Sequence, residues 1–480
     1  MQRKIILFEL NEVPWRIVDD HAARSPDGVM STVLPRCRQY VTVAADTGHL
    51  SPWRTWPSLH RGVPDHVHLI SDLGQDHTAV DETYPPVWRL LHDHGTSVAV
   101  CGSLHSYPPP VDMSSYAFYL TDAFAADDRA HPRVLSRFQA FNLAMTRSSA
   151  RNVDASISWS HAVRVLAASR SLGIRPRTYW AIAAQLAAER RRPPRRARRR
   201  TLQAVLAFDV FMRQLERTTP DFSTFFSNHV ASSMHRYWAA TYPADYRHLD
   251  LDSQWLATHR DEIPYAMRAT EGMLARLVAF ADAHPDYEVW TTSSMGQGAT
   301  LARSLETAVY VVDLATFMRR LGVPDGSWEQ RPAMLPQTNV AISEELADTF
   351  ERALSELKLA GKPLSYRRGD GGFFALDLGH SNLHERPRPV RYLGARHPLA
   401  DFGMKAVEIE DRSGTTAYHV PEGLLFVYDP RRPAVSQRLI QAAARPQIST
   451  LEIAPALLDA FGVPRPAYMA PLSEHWPTAS

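Results

Sequence analysis

The sequence predicts an α/β protein: a mostly parallel sheet sandwiched by helices, with a helical insertion and a smaller α+β insertion. Three observations predict it. Apolar runs such as Ile5-Ile6-Leu7-Phe8 lack the alternation of a half-exposed strand and end in polar residues, as buried parallel strands do at their carboxyl ends. Helical patterns separate these runs, giving a strand–helix–strand rhythm. The chain has 480 residues, 45% hydrophobic and 22% charged, enough for one large core with insertions.

The run at 4–10 is the first strand and 41–45 the next. Residues 87–95 read as a helix stopped by Gly95, and 98–102 as another buried strand. In such sheets, sites gather at the strands' carboxyl ends. From about 130 to 217 the pattern becomes long, helical and rich in Ala and Arg. Within it, 190–200 holds eight arginines in eleven residues. That run reads either as a patch for phosphate, nucleic acid or anionic lipid, or as a solvated linker broken by Pro193 and Pro194. It lacks the interleaved aromatics of single-strand binding, which favours the linker. Strand character returns at 222–226 and 287–292. An α+β insertion is expected over 300–395, with strands at 307–312 and 372–377 and an amphipathic helix at 344–359. A late strand at 424–430 and a helix at 453–461 close the chain. The expected division is core 1–129, helical insertion 130–217, core 218–299, α+β insertion 300–395 and closing core 396–480.

A net charge of +2 gives no global reason to expect nucleic acid or membrane binding. Cys37 and Cys101 are the only cysteines, too few for a disulfide framework or a cysteine-rich zinc site, so a reducing compartment fits. The apolar run after Met1 is too short for a signal peptide, and no stretch approaches ~20 apolar residues. A soluble cytoplasmic protein is expected. The Ala, Arg and Pro usage is of the kind associated with GC-rich bacterial genomes.

Five segments carry chemistry. Asn11 follows the first strand and offers either a neutral carbonyl oxygen to a cation or a cap to the turn. Arg54-Thr55-Trp56-Pro57-Ser58 contains a hydroxyl that becomes a nucleophile when a metal or base takes its proton, and that otherwise serves a turn or helix cap. Asn228, and His235 in His235-Arg236-Tyr237-Trp238, follow the strand at 222–226. His419 precedes the last core strand, and Ser293-Ser294-Met295-Gly296 follows the strand at 287–292.

In chain order the segments resemble the landmarks of the alkaline phosphatase superfamily, in its type I phosphodiesterase/nucleotide pyrophosphatase branch. The resemblance spans residues 4–110, 220–300 and 400–465. It implies an alkaline phosphatase-like core and a threonine nucleophile, Thr55, beside metals held by Asp and His. Asn11 stands where the superfamily has the first-strand Asp, and Ala231 where it has an Asp four residues before His235. Ser293-Ser294-Met295-Gly296 replaces Ser-Asp-His-Gly. Serine is a poor ligand and methionine sulfur a soft one, so a conventional two-metal cluster is not expected. A remaining divalent metal, zinc or manganese, would be held by Asn11, Asn228, His235 and His419, with Arg54, Arg61 and Lys405 binding phosphate. The expected function is hydrolysis or transfer of a small-molecule phosphoester, without nucleic acid or membrane partners. The alternatives are a catalytically degenerate member acting as a binding or scaffold protein, and an enzyme of different chemistry on the same scaffold. Thr55, Asn11, Ser294 and His419 are expected to converge in one pocket.

Overall fold

Nine strands organise the chain. In sequence order they are β1 Lys4–Leu10, β2 Arg38–Val43, β3 Val98–Cys101, β4 Phe118–Leu120, β5 Ala130–His131, β6 Phe222–Ser227, β7 Tyr287–Thr292, β8 Leu425–Tyr428 and β9 Gln447–Ser449. The computed structural model describes residues 3–148, 159–378, 382–383, 389–409, 412, 414–432 and 445–476. The strands lie side by side in the order β9-β2-β8-β7-β1-β6-β3-β4-β5. β1 is central and parallel to both β6 and β7, and β3 and β4 extend the parallel run. Only β8 and β5 run against it, β8 between β7 and β2, β5 at the edge beside β4.

The unbroken apolar run of β1 has a direct packing reason. Ile6, Phe8 and Leu10 enter one hydrophobic cluster while Ile5 and Leu7 enter another, so successive side chains serve opposite faces of the sheet. The first cluster takes helices of the helical insertion; the second takes the closing helix Ile453–Ala460, where Ile453, Leu457 and Leu458 are fully buried. Helices on both faces leave the strand ends as the place where polar residues can reach solvent.

The helical insertion contains Leu135–Ser148, Trp159–Leu172, Pro176–Arg191 and Arg199–Thr218. The arginine run expected as a linker is instead structured: it ends one helix, forms a 3-10 turn at Pro193–Arg198 and begins the next helix. Ion pairs explain the order. Arg198 meets Glu262 at 2.8 Å and Arg199 meets Glu189 at 2.7 Å, both carboxylates being buried. A separate four-stranded antiparallel sheet, with Thr338–Ile342 and Phe373–Asp377 at its centre, packs against the helix Glu344–Glu356 through Phe350, Leu354 and Phe374. Beside it Thr307–Val311 pairs with Met404–Glu408, which places Lys405 at this periphery. Among the described residues no helix is long and apolar enough to cross a membrane.

Candidate active site

β1 ends at Leu10, and the chain turns through Asn11 and Glu12. Glu12 has φ 58°, a left-handed conformation that a side chain bearing a Cβ seldom adopts. The turn takes Glu12 out of strand alternation and aims its carboxylate across the sheet's carboxyl end. Asn228 then starts the helix His229–Thr241 after β6, and that helix carries His235 to the same point. The third contributor is a two-stranded antiparallel ribbon in which Gly296–Ala299 pairs with Ala417–Val420, setting Gln297 opposite His419. Only glycine fits at 296, since a Cβ there would lie 2.1 Å from the Glu422 carbonyl oxygen.

The result is a cluster of three ligand-bearing side chains. Glu12 Oε2 lies 2.8 Å from His235 Nε2 and 3.3 Å from His419 Nε2, and also accepts from Gln297 Nε2. Glu12 Oε1 accepts from Asn11 Nδ2 at 2.8 Å. Each imidazole is anchored through its other nitrogen: His235 Nδ1 donates to the Ala417 carbonyl at 2.9 Å and His419 Nδ1 to the Leu50 carbonyl at 2.7 Å. Those bonds fix both rings with Nε2 pointing inward. Burial would raise the Glu12 carboxyl, but His419 and His235 beside it prevail and hold it well below the usual range. Burial would likewise lower His419, and the Glu12 charge instead lifts it above its ordinary value.

This donor set fits a divalent cation. Two His nitrogens and one carboxylate, with each ring held by a backbone carbonyl, form a ligand set used by catalytic zinc. Ligand atoms bound at about 2.0–2.1 Å in tetrahedral geometry stand roughly 3.3–3.4 Å apart, close to the separations seen from Glu12. Among the described residues this is one group whose ligand atoms all lie within 4.8 Å of one another.

The residues singled out in the sequence divide into those that reach this point and those that do not. His235 and His419 do. Asn11 is beside it, but its oxygen is committed: Trp56 Nε1 donates to Asn11 Oδ1 at 2.8 Å, and an indole nitrogen can only donate. The amide nitrogen of Asn11 therefore faces the cluster, giving one hydrogen to Glu12 and one to Asn228 Oδ1 at 2.8 Å. Asn11 acts as a donor that holds the carboxylate, not as a ligand, because its only oxygen points away. Asn228 is exposed at the mouth, one step outside.

Thr55 and Ser294 are both fully buried and bond to each other, hydroxyl to hydroxyl, at 2.8 Å. Neither lines the cleft. Ser293 is also used internally, donating to the Val13 carbonyl and accepting from the Leu424 amide. The expected convergence thus holds for Asn11 and His419, while Thr55 and Ser294 pair beneath the surface. Arg54 lines the cleft and reaches Asp65 at 3.4 Å. Arg61 does not bind the cleft: it is fully buried and paired with Asp81, so its charge is spent inside the fold. Lys405 is exposed on a peripheral strand and also lies outside the cleft lining. Glu9, on the same side of β1 as Asn11, is buried against His60 Nε2 at 2.6 Å.

Glu12 is the group that sequence reasoning missed. Strand alternation points to residues 9 and 11, and nothing in the sequence marks residue 12 as left-handed. Its adjacency to the expected ligand position was the one available signal.

The cluster opens into a cleft of about 980 Å³. Five arginines line it, Arg54, Arg200, Arg236, Arg331 and Arg367, against two carboxylates, Glu12 and Asp377. That balance favours an anionic ligand. Arg236 adjoins His235, its Nη1 donating to Ser232, while its buried Nε has no hydrogen-bond partner. His49, also in the lining, accepts from Tyr418 at 2.8 Å when the phenol donates to Nε2.

No family model matches the chain, and no curated protein matches it. Solved structures similar to it include murine ectonucleotide pyrophosphatase/phosphodiesterase 5, at 8% identity over 98% of this chain and 97% of that one, with a TM-score of 0.40. Phosphonoacetate hydrolase from Sinorhizobium meliloti, in complex with phosphonoformate, is similar at 11% identity over 96% and 95%, TM-score 0.39. A mutant of the alkaline phosphatase PafA is similar at 12% identity over 98% of each chain, TM-score 0.43. Likeness at this level assigns no chemistry, which has to come from the chain's own side chains.

Proposed function

We propose that this protein hydrolyses or transfers a small-molecule phosphoester at a single divalent cation, zinc or manganese, held by Glu12, His235 and His419. The observation that carries the reading is the inward aim of both Nε2 atoms at Glu12, with each Nδ1 tied to a backbone carbonyl. A bound cation would polarise a phosphoryl oxygen and acidify a water. Asn11 and Gln297 hold the Glu12 carboxylate in place. Arg54 and Arg236 orient the anion, and the wider arginine lining draws it in. Thr55 is buried outside the cleft lining and bonds Ser294, so water rather than Thr55 is the nucleophile this geometry favours.

Metal analysis of the purified protein, paired with turnover of aryl phosphate mono- and diesters, tests this. Near-stoichiometric metal and turnover, both lost in His419→Ala, are the expected result. Metal-free protein inert toward both ester classes would overturn it.

One observation favours a second reading, a binding or scaffold protein. Glu12 Oε2 already sits within hydrogen-bond reach of His235, His419 and Gln297, so the cluster closes on itself without a cation. Tight binding of a phosphoester by metal-free protein, without turnover, would support that reading.

A further inference from the structure

The helical insertion carries a feature that the cleft does not use. Between Trp159 and Arg200 the sequence has twelve arginines and one acid, Glu189, a net +11. With +2 for the whole chain, the remainder carries −9. The expectation of no membrane partner rested on the whole-chain value, which averages this segregation away.

Within that segment the helix Pro176–Arg191 packs Tyr179 and Ile182 half-buried against the core. The side chains it buries outright are polar: Thr178, Gln185 and Glu189. Each has partners there, Thr178 and Asp209, Gln185 and the Arg195 carbonyl at 2.6 Å, Glu189 and Arg199 at 2.7 Å. Between Arg177 and Arg190 its exposed side chains are Trp180, Ala181, Ala183, Ala184 and Ala187, with no polar residue among them. Trp180 is 76% exposed. At helical spacing Arg177, Trp180, Ala184, Ala187 and Arg191 share one outward stripe, apolar in the middle and cationic at both ends. The preceding helix repeats the pattern, exposing Val163 and Leu166 beside Arg164 and Arg170.

A water-facing helix is ordinarily polar on its outer face, so this one fits a cover that accepts both tryptophan and arginine. A second copy of the chain meets the same face with the same charge, which repels in a two-fold pair. Nucleic acid would engage the arginines but has no use for an alanine face with one tryptophan. An anionic bilayer takes both parts. Guanidinium groups reach phosphate head groups, and the tryptophan and alanine stripe settles at the interface. We propose that the helix Pro176–Arg191 docks this protein on the surface of a bilayer containing anionic phospholipid, lying in the plane of the interface. No crossing helix is required.

Co-sedimentation of the full chain with phosphatidylcholine vesicles, with and without phosphatidylserine, tests the proposal. Binding is expected only with phosphatidylserine and is expected to fall as salt rises. The triple variant Arg190→Gln, Arg191→Gln, Arg192→Gln should bind on the order of 100-fold more weakly, and Trp180→Glu should also lose binding. Both variants change exposed side chains, and unchanged urea midpoints would show that they fold. Because Cys37 and Cys101 are buried, Ala184→Cys gives a single accessible labelling site. A polarity-sensitive dye there should shift to the blue on adding phosphatidylserine vesicles. No sedimentation, or sedimentation indifferent to Trp180→Glu, overturns the proposal. So does a concentration-dependent dimer abolished by Trp180→Glu without vesicle binding, or retention on DNA without vesicle binding.

Discussion

Two strand ends of one sheet, those of β1 and β7, sit side by side and have been built in opposite ways. At the end of β1 the chain places Glu12 in a left-handed turn, and two imidazoles from distant segments converge on its carboxylate. At the end of β7 the comparable positions are Ser293 and Ser294, whose hydroxyls are consumed by backbone groups and by Thr55. One half is charged and faces the cleft; the other is neutral and sealed. A hydroxyl bonded only to another buried hydroxyl gains nothing that would depress its pKa, whereas a carboxylate between two imidazoles is held ionised. The proposed chemistry therefore rests on the first half.

The sharpest way to break that contrast is Glu12→Gln, which removes the charge shared by His235 and His419. Bound metal and ester turnover should both fall to background, measured by elemental analysis and by aryl phosphate assay; retained turnover would dissolve the distinction. Acid should act on the same half. Burial pushes His229, the first residue of the helix that carries His235, down to about 4. The folded protein keeps it neutral while the unfolded chain protonates it below about 6.5. Its contribution is therefore full above pH 6.5 and lost as pH falls toward 4, roughly 3 kcal/mol in all. Urea midpoints across that window should drop, and His229→Gln should flatten the slope.

Smaller effects are expected from the sealed half. Thr55→Val leaves the buried Ser294 hydroxyl without its partner and should cost about 1–3 kcal/mol of stability with turnover unchanged. Turnover lost with metal retained would return Thr55 to the role of nucleophile. The smallest change is indirect. Trp56→Phe removes the indole donor that orients Asn11, and should weaken metal affinity about tenfold as an outer-layer partner does; unchanged affinity at equal stability would show that Asn11 orients itself.

Much of the fold is legible because burial on two faces forces unbroken apolar runs, which is why β1, β3, β6 and β7 can be read from sequence alone. His235 and His419 are legible for a related reason: each lies just after or before such a run. Glu12 is not, because periodicity stops where the strand stops, and a left-handed residue leaves no compositional trace unless it is glycine. Arg61 and Lys405 were misplaced because a charge beside a motif does not reveal its partner. For Arg61 that partner is Asp81, twenty residues on. The helix Pro176–Arg191 resists reading for the opposite cause. Apolar residues lie on both sides of it: Tyr179 and Ile182 pack against the core around a hydrogen-bonded set of Thr, Gln and Glu, while Trp180 and the alanines face outward, so periodicity marks no single face.

The bond from Trp56 to Asn11 has a consequence for where a negative charge can sit at this strand end. The substitution Asn11→Asp would leave one oxygen against the indole and turn the other toward Glu12 Oε1, where an N–H now stands at 2.8 Å. Two carboxylates would then face each other with no hydrogen between them. Positions 11 and 12 are thus alternative homes for one negative charge. Placing it at residue 11 requires Glu12 to become neutral in the same step.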